Sequence, residues 1–338
     1  AIWDTWSATG EDYAGSEKIG QHWHSFGKSA SLVTVGTLVH FAEQGGYQST
    51  VTFETELVYD EPLSDDNIDL LRPPGFVGKL VEWINGQCRF PRERLAVAAA
   101  LSAMGNISGL RYEDKVYGVT TNQFIFCVAG SATGKEAIQQ AQAEIHKAAG
   151  IAPATHGAIK SEQEIIRNLI DHQAACYIID EMGLVLQKID NARKRGGAAY
   201  LEGVIGALMS AYSKANSFMP LGGDVRKEIK MQLAKELGQL KKRQADGADV
   251  ESDIASIERQ LSTLDSGLER PFLSLIGYTT PVTFNGLVDY EQSANGFFGR
   301  SLIIQEKETN PKAKKRFKTL PMDMTMSMTL ASIYNGGS

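Results

Sequence analysis

The sequence predicts an α/β fold: a parallel β-sheet flanked by helices, carrying a helical hairpin insertion and preceded by a small N-terminal helical domain. Three observations point there. The runs FIFCVAG (124–130), CYIID (176–180) and FLSLIGY (272–278) are short, β-rich and apolar on both faces. Such runs suit central strands covered by helices on either side. Helical stretches alternate with them, as an α/β domain requires. Two further segments, 228–240 and 250–264, place their apolar residues on one helical face and are joined by the turn signal ADGAD.

Taken in order, residues 1–50 are rich in Trp and Gly. Within them, LVTVGTLVHFAEQGGY puts Val35, Leu38, Val39 and Ala42 at helical spacing before a glycine pair. Residues 51–75 are acidic and end in a proline pair, so they are read as a linker, and 76–338 as the main domain. FVGKLVEWINGQC and RERLAVAAALSAMGNI are predicted helices with good helix formers. The predicted hairpin, about 226–268, aligns Ile229, Leu233, Leu237 and Leu240 on its first arm. Its second arm carries Val250, Ile254, Ile257, Leu261 and Leu264. With Lys and Glu outside, it is read as a strut or oligomer contact, or as an arm touching nucleic acid.

The 338 residues are 43% hydrophobic and 22% charged, the balance of a folded chain. No apolar run approaches the roughly 18 residues needed to span a bilayer, and no secretory leader is visible. No membrane partner is therefore expected. The chain opens on Ala1, which is read as the start of a piece excised from a longer protein. A net charge of −6 is not that of a protein coating duplex DNA, so local cationic clusters must decide whether nucleic acid is bound. Cys88, Cys127 and Cys176 show no CxxC or Cys/His spacing, which argues against zinc and for a reducing, cytoplasmic setting.

The strongest motif is FIFCVAGSATGKE. A buried strand runs into Gly130, Ser131, Ala132, Thr133, Gly134 and Lys135, and a helix follows. Strand, glycine loop, Lys and helix together are the context that gives a P-loop match structural meaning. Backbone N–H groups and the helix N-terminus would hold the phosphates of ATP, and Lys135 would reach the β- and γ-phosphates. Two departures stand out. Ala129 takes the first glycine position, and Glu136 replaces the Ser or Thr that ligates Mg2+. A carboxylate is itself a hard oxygen ligand, so Glu136 is expected to hold the metal directly or through water. The competing reading is a strand-to-helix turn without nucleotide.

Further signals follow downstream. CYIIDEMG is a strand ending in Asp180, expected to hold magnesium through water, and Glu181, expected to polarise the attacking water. The strand FLSLIGYTTP ends in Thr279 and Thr280, either of which could touch the γ-phosphate, with Thr280 the preferred catalytic candidate. Arg300, after the glycine-marked turn in NGFFGRSLIIQ, is expected to act as a cationic finger on a neighbouring subunit's γ-phosphate. Lys188, then Arg193, Lys194 and Arg195 ahead of Gly196-Gly197, are read as a basic loop gripping DNA phosphates. The run Lys312, Lys314, Lys315, Arg316, Lys318 is a second candidate for such contact, with a solvated face the preferred reading. His22-Trp23-His24, Trp3 and Trp6 are read as packing residues rather than ligands or base-stacking groups.

These residues resemble a family. WDTWS, WHSF and LVTVGTLVHFAEQGGY are similar to the small helical domain that follows the polymerising module in phage and plasmid primases. AGSATGKE, CYIIDEMG, LIGYTTP and NGFFGRSLI, in that order, resemble the helicase-like ATPase domain of phage and prophage primase–helicases. These are relatives of superfamily-3 and AAA+ ring motors. The resemblance implies a homo-hexameric ring that hydrolyses ATP with Mg2+ and translocates on single-stranded DNA in a phage-infected or prophage-bearing cell. It also implies an N-terminal primase-polymerase that this piece lacks. Two other functions share the motifs: an ATPase that remodels or loads a protein partner, and a nucleotide-binding scaffold that does not hydrolyse, suggested by Glu136.

Overall fold

The computed structural model describes residues 15–18, 69–109, 111–114, 116–131, 133–195, 202–288, 296–307 and 312–336, with backbone only at 190, 192–195, 202 and 286–288. The chain divides into two units, Ala1–Ile68 and Asp69–Ser338. The helix expected in the first unit, its tryptophans, His22-Trp23-His24 and most of the expected linker lie outside the described residues.

In the second unit, helices α1 (Gly75–Gln87) and α2 (Glu93–Ser108) precede strand β1 (Phe124–Val128). Helix α3 (Lys135–Ala149) and the short strand β2 (Thr155–His156) follow, then α4 (Glu162–His172) and β3 (Ala174–Ile179). Next come α5 (Met182–Arg195), α6 (Glu202–Ser213) and β4 (Phe218–Met219). The hairpin helices are α7 (Gly223–Ala245) and α8 (Glu251–Ser266), and β5 (Leu268–Glu269) and β6 (Phe272–Thr279) come after them. Helix α9 (Pro281–Val288), strand β7 (Ser301–Gln305) and helix α10 (Met324–Tyr334) complete the unit.

Five strands form one sheet in the order β2-β3-β6-β1-β7, every neighbouring pair parallel. The three apolar runs are its three central strands, and every residue of β1 and β6 is buried. Period-two alternation splits their side chains between two layers. Ile125, Cys127, Ile276 and Tyr278 face α1, α2, α3 and α10, meeting Leu80, Leu95, Ile138 and Leu330. Phe124, Phe126, Tyr177 and Leu275 face α4, α5, α6 and the hairpin, meeting Leu169, Leu186, Leu208 and Leu264. Strand β2 escapes sequence reading because two residues carry no periodicity. All three cysteines are free and buried; burial pushes the Cys88 thiol up to about 11 and Cys176 up to about 12, which makes them poor nucleophiles.

The hairpin is closed at its base by the antiparallel pair β4–β5. It buries Ile229, Leu233, Ile254, Ile257 and Leu264. Polar contacts seat it on α4: Arg167 Nη2 to Glu236 Oε2 at 3.0 Å, Gln163 to Glu228 at 2.7 Å and Gln260 to Asp171 at 2.9 Å. Helix α7 outruns its apolar window, and its distal turn, residues 241–245, is exposed and shows no apolar pattern. The base lies beside Gln173, which donates to the Glu269 carbonyl at the point where β3 begins. Among the described residues, no helix is long and apolar enough to cross a membrane.

Candidate functional site

The parallel register brings four strand ends to one edge. Val128 at the end of β1 pairs with Thr279 of β6 and Gln305 of β7, and Ile179 at the end of β3 pairs with Gly277. Carboxyl edges of parallel sheets are where α/β proteins place ligands. The glycine loop leaves β1 here, and the Asp180-Glu181 turn leaves β3 here, with β6 between them.

The loop is held from three sides. Thr133 Oγ1 donates to the Gly130 carbonyl at 2.7 Å, closing the turn on itself. Arg92, only 2% exposed, donates from Nε to the Thr133 carbonyl at 2.9 Å. Gly134 has φ 86°, a left-handed conformation that a side chain would strain, and Phe90 lies against it. Helix α3 starts at the next residue. Lys135 is 7% exposed, and its Nζ donates at 3.3 Å to the carbonyls of both Ala129 and Thr279. The ammonium therefore bridges the ends of β1 and β6. Gly130 and Ser131 lie in the loop beside it, whereas Ala132 lies outside the described residues. Glu136 stands exposed in the first turn of α3.

One turn beyond Lys135, Gln139 donates from Nε2 to Asp180 Oδ1 at 3.0 Å. This bond ties the first turns of α3 to the end of β3. The same Oδ1 accepts the Glu181 N–H at 2.9 Å, so Oδ2 keeps no bond among the described residues. Glu181 has φ 49°, an uncommon backbone conformation for a non-glycine residue, at the start of α5. Strained backbone of this kind gathers at functional turns.

The two threonines ending β6 differ sharply. Thr279 is fully buried, and its hydroxyl has no hydrogen-bond partner among the described residues. That hydroxyl takes up the space that a side chain on Gly183, in the first turn of α5, would occupy, while only its carbonyl meets Lys135. Thr280 is half-buried and its Oγ1 accepts the Thr283 N–H at 3.3 Å at the start of α9. It also pairs with the Thr283 hydroxyl at 2.9 Å. Arg300 is exposed at the start of β7, where its Nη1 donates to the Gly296 carbonyl at 2.9 Å.

The cations expected to meet nucleic acid lie away from the loop geometry the sequence suggested. Lys188 is exposed on α5, and Arg193, Lys194 and Arg195 form the last turn of that helix rather than a loop. Leu186 and Ile189 are buried on the inner face of the same helix. Side chains 193–195 and Gly196-Gly197 lie outside the described residues. Lys314 departs from a solvated face: its Nζ donates to the Asn85 carbonyl at 2.5 Å and the Gly86 carbonyl at 3.4 Å, at the end of α1.

Among the described residues, no three or more His, Cys, Asp or Glu side chains gather as a metal cage. Magnesium, however, needs only one or two protein carboxylates when phosphates and water complete its octahedron. The exposed Asp180 carboxylate, with Oδ2 uncommitted, fits that restricted role. Arg92, Gln139 and Gly183 were not singled out in the sequence. Gln139 alone carried a signal, four residues after Lys135 and so on the same helical face.

Residues 1–42 match the family model described as Primase C terminal 2 (PriCT-2), which links the chain to primase-associated replication proteins. No curated protein and no solved structure matches the chain.

Proposed function

We propose that the chain is the ATP-hydrolysing motor of a phage-type primase–helicase, a P-loop ATPase of the superfamily-3 or AAA+ kind that translocates on single-stranded DNA as a homo-hexamer. The observation that supports it most is the hydrogen bond from Gln139, on the helix that follows the glycine loop, to Asp180 at the end of β3, beside the strand β6 that ends in Thr279. In this reading the loop N–H groups and Lys135 hold the triphosphate. Asp180 and Glu136 would hold Mg2+, which would neutralise developing charge on the phosphates. Glu181 orients and deprotonates the lytic water, Thr280 contacts the γ-phosphate, and Arg300 reaches a neighbour's site. Lys188 and Arg193 to Arg195 contact DNA phosphates. The primase-associated match at residues 1–42 favours a nucleic-acid substrate over a protein one.

The test is steady-state ATP hydrolysis with and without single-stranded DNA, beside a Glu181→Gln variant. Turnover raised severalfold by DNA and abolished in the variant is expected. Turnover indifferent to DNA would exclude the DNA motor, and ATP binding without turnover in any condition would exclude hydrolysis.

A further inference from the structure

Between β7 and α10 the chain runs through an irregular segment, 312–322, that is pinned at two points to the end of α1. At the first pin, Lys314 donates its N–H to the Arg89 carbonyl at 3.0 Å and its Nζ to the Asn85 and Gly86 carbonyls. At the second, Gln87 Nε2 donates to the Leu320 carbonyl at 2.7 Å. Lys314 thus acts as a cap, a cation on carbonyls that the helix end leaves without partners. The backbone between the pins is held, and it carries Lys315, Arg316, Phe317 and Lys318, all exposed.

Charge here runs against the rest of the chain. Acids outnumber Lys and Arg by 40 to 34 overall, yet residues 309–322 hold five cations and no carboxylate. Lys312, Lys315, Arg316 and Lys318 make no ion pair among the described residues. The stretch 88–94, where the first pin lands, adds exposed Arg89 and Arg94 against one carboxylate, Glu93. Asp323, the next acid along, caps α10 by accepting the Met326 N–H at 2.7 Å. Where the segment borders α3, Glu144 is matched by Lys147. A charge run that only aids solubility gains nothing from being fixed, because fixing it costs conformational entropy. A binding surface does gain, since the cost is met before the ligand arrives.

Aromatic rings stand among these cations. Phe317 is 38% exposed with the Lys314 ammonium 6.0 Å from its ring, and Phe90 is 37% exposed with the Arg89 guanidinium at 5.7 Å. Cations that track a phosphate backbone, beside rings on which bases stack, are the two ingredients of single-strand binding. An irregular segment offers no helix to the major groove of a duplex.

We propose that residues 312–318, with Arg89 and Phe90, form a surface for single-stranded DNA in addition to Lys188 and Arg193 to Arg195. Lys315, Arg316 and Lys318 contact phosphates, and Phe317 stacks on a base. This rests on the nucleic-acid part of the function proposed above and not on ATP hydrolysis.

The test is fluorescence anisotropy of a labelled oligothymidylate titrated with the whole chain over a range of salt concentrations. The triple variant Lys315→Ala/Arg316→Ala/Lys318→Ala should bind about tenfold or more weakly at low salt. Its slope of log affinity against log salt should flatten by about 2, the share of three phosphate contacts on a single strand. Phe317→Leu should lose about fivefold or more with the slope unchanged, and should lose nothing on an abasic oligonucleotide. A folded triple variant that keeps both affinity and slope would overturn the assignment, while DNA binding elsewhere on the chain would stand. Equal binding of an oligoglutamate of the same charge would also overturn it, as would a wild-type chain that binds no oligothymidylate at low salt. ATP turnover indifferent to DNA, with binding lost in the triple variant, would sink the motor and leave this surface in place.

Discussion

Replacing Thr279 by valine isolates an unusual feature of the candidate site. The hydroxyl is fully buried against Gly183 and has no partner among the described residues. Valine has nearly the same shape, so the substitution opens no cavity and forces no overlap. It removes only the desolvation penalty of an unsatisfied polar group, about 1–3 kcal/mol. The folded state should therefore gain about 1–2 kcal/mol. For a unit of this size, about 2–4 °C per kcal/mol, the midpoint should rise by about 2–8 °C. Urea unfolding followed by circular dichroism gives the free energy, and a thermal melt gives the midpoint. Because the hydroxyl faces Gly183 and not the glycine loop, ATP turnover should stay within about twofold, whereas Thr280→Val should lower it about tenfold or more. A Thr279→Val protein destabilised by more than about 1 kcal/mol would show that the hydroxyl does make a hydrogen bond, and the reasoning would fall.

Three other outcomes follow from the same packing. Gly183→Ala would press a methyl onto Thr279 Oγ1 and to 2.6 Å from Thr283 Cγ2, so a loss of about 1–3 kcal/mol is expected in denaturant titration. Arg92→Ala removes the donor to the Thr133 carbonyl and should cost about 1.5–3 kcal/mol. ATP affinity should fall with it, as measured by fluorescent nucleotide displacement. His146 is held neutral by burial, its value pushed down to about 3. Between that value and the unfolded one near 6.5, the unfolded chain binds a proton that the native chain does not, so stability is lost as pH falls and is flat above the window. At pH 5 the loss is about 2 kcal/mol, to be read by comparing urea midpoints at pH 7 and pH 5.

The parts of this chain that could be read in advance are those whose physics is local. FIFCVAG, CYIID and FLSLIGY are buried on both faces, so their composition alone marked them as central strands. The hairpin was visible because Ile229, Leu233, Ile254 and Ile257 keep a helical period along a buried seam. The loop 130–135 was visible because glycine, lysine and the following helix are contiguous. What stayed hidden depends on distant partners. Arg92 reads as an ordinary helix-start cation until the fold lays it against Thr133. Thr279 and Thr280 look alike as neighbours, and only Gly183 and Thr283 distinguish the environments of their hydroxyls. Arg193 to Arg195 suggested a loop by their charge, yet they continue helix α5.

The sheet order also dictates when the site can come into being. Strand β1, which launches the glycine loop, has its partners in β6 and β7: Phe124 pairs with Leu275 on one side and Ser301 on the other. During synthesis, β1 and the loop behind it emerge long before either neighbour exists. Both backbone edges of an apolar strand are then open, the condition that makes slow, long-range parallel pairing prone to mispairing. The carbonyl of Thr279 that receives Lys135 also arrives only with β6. Translation must therefore proceed beyond Gln305 before the lysine, the loop and both flanking strands can lock together. A nascent chain stalled before β6 would present β1 as a sticky edge and hold no formed site at all.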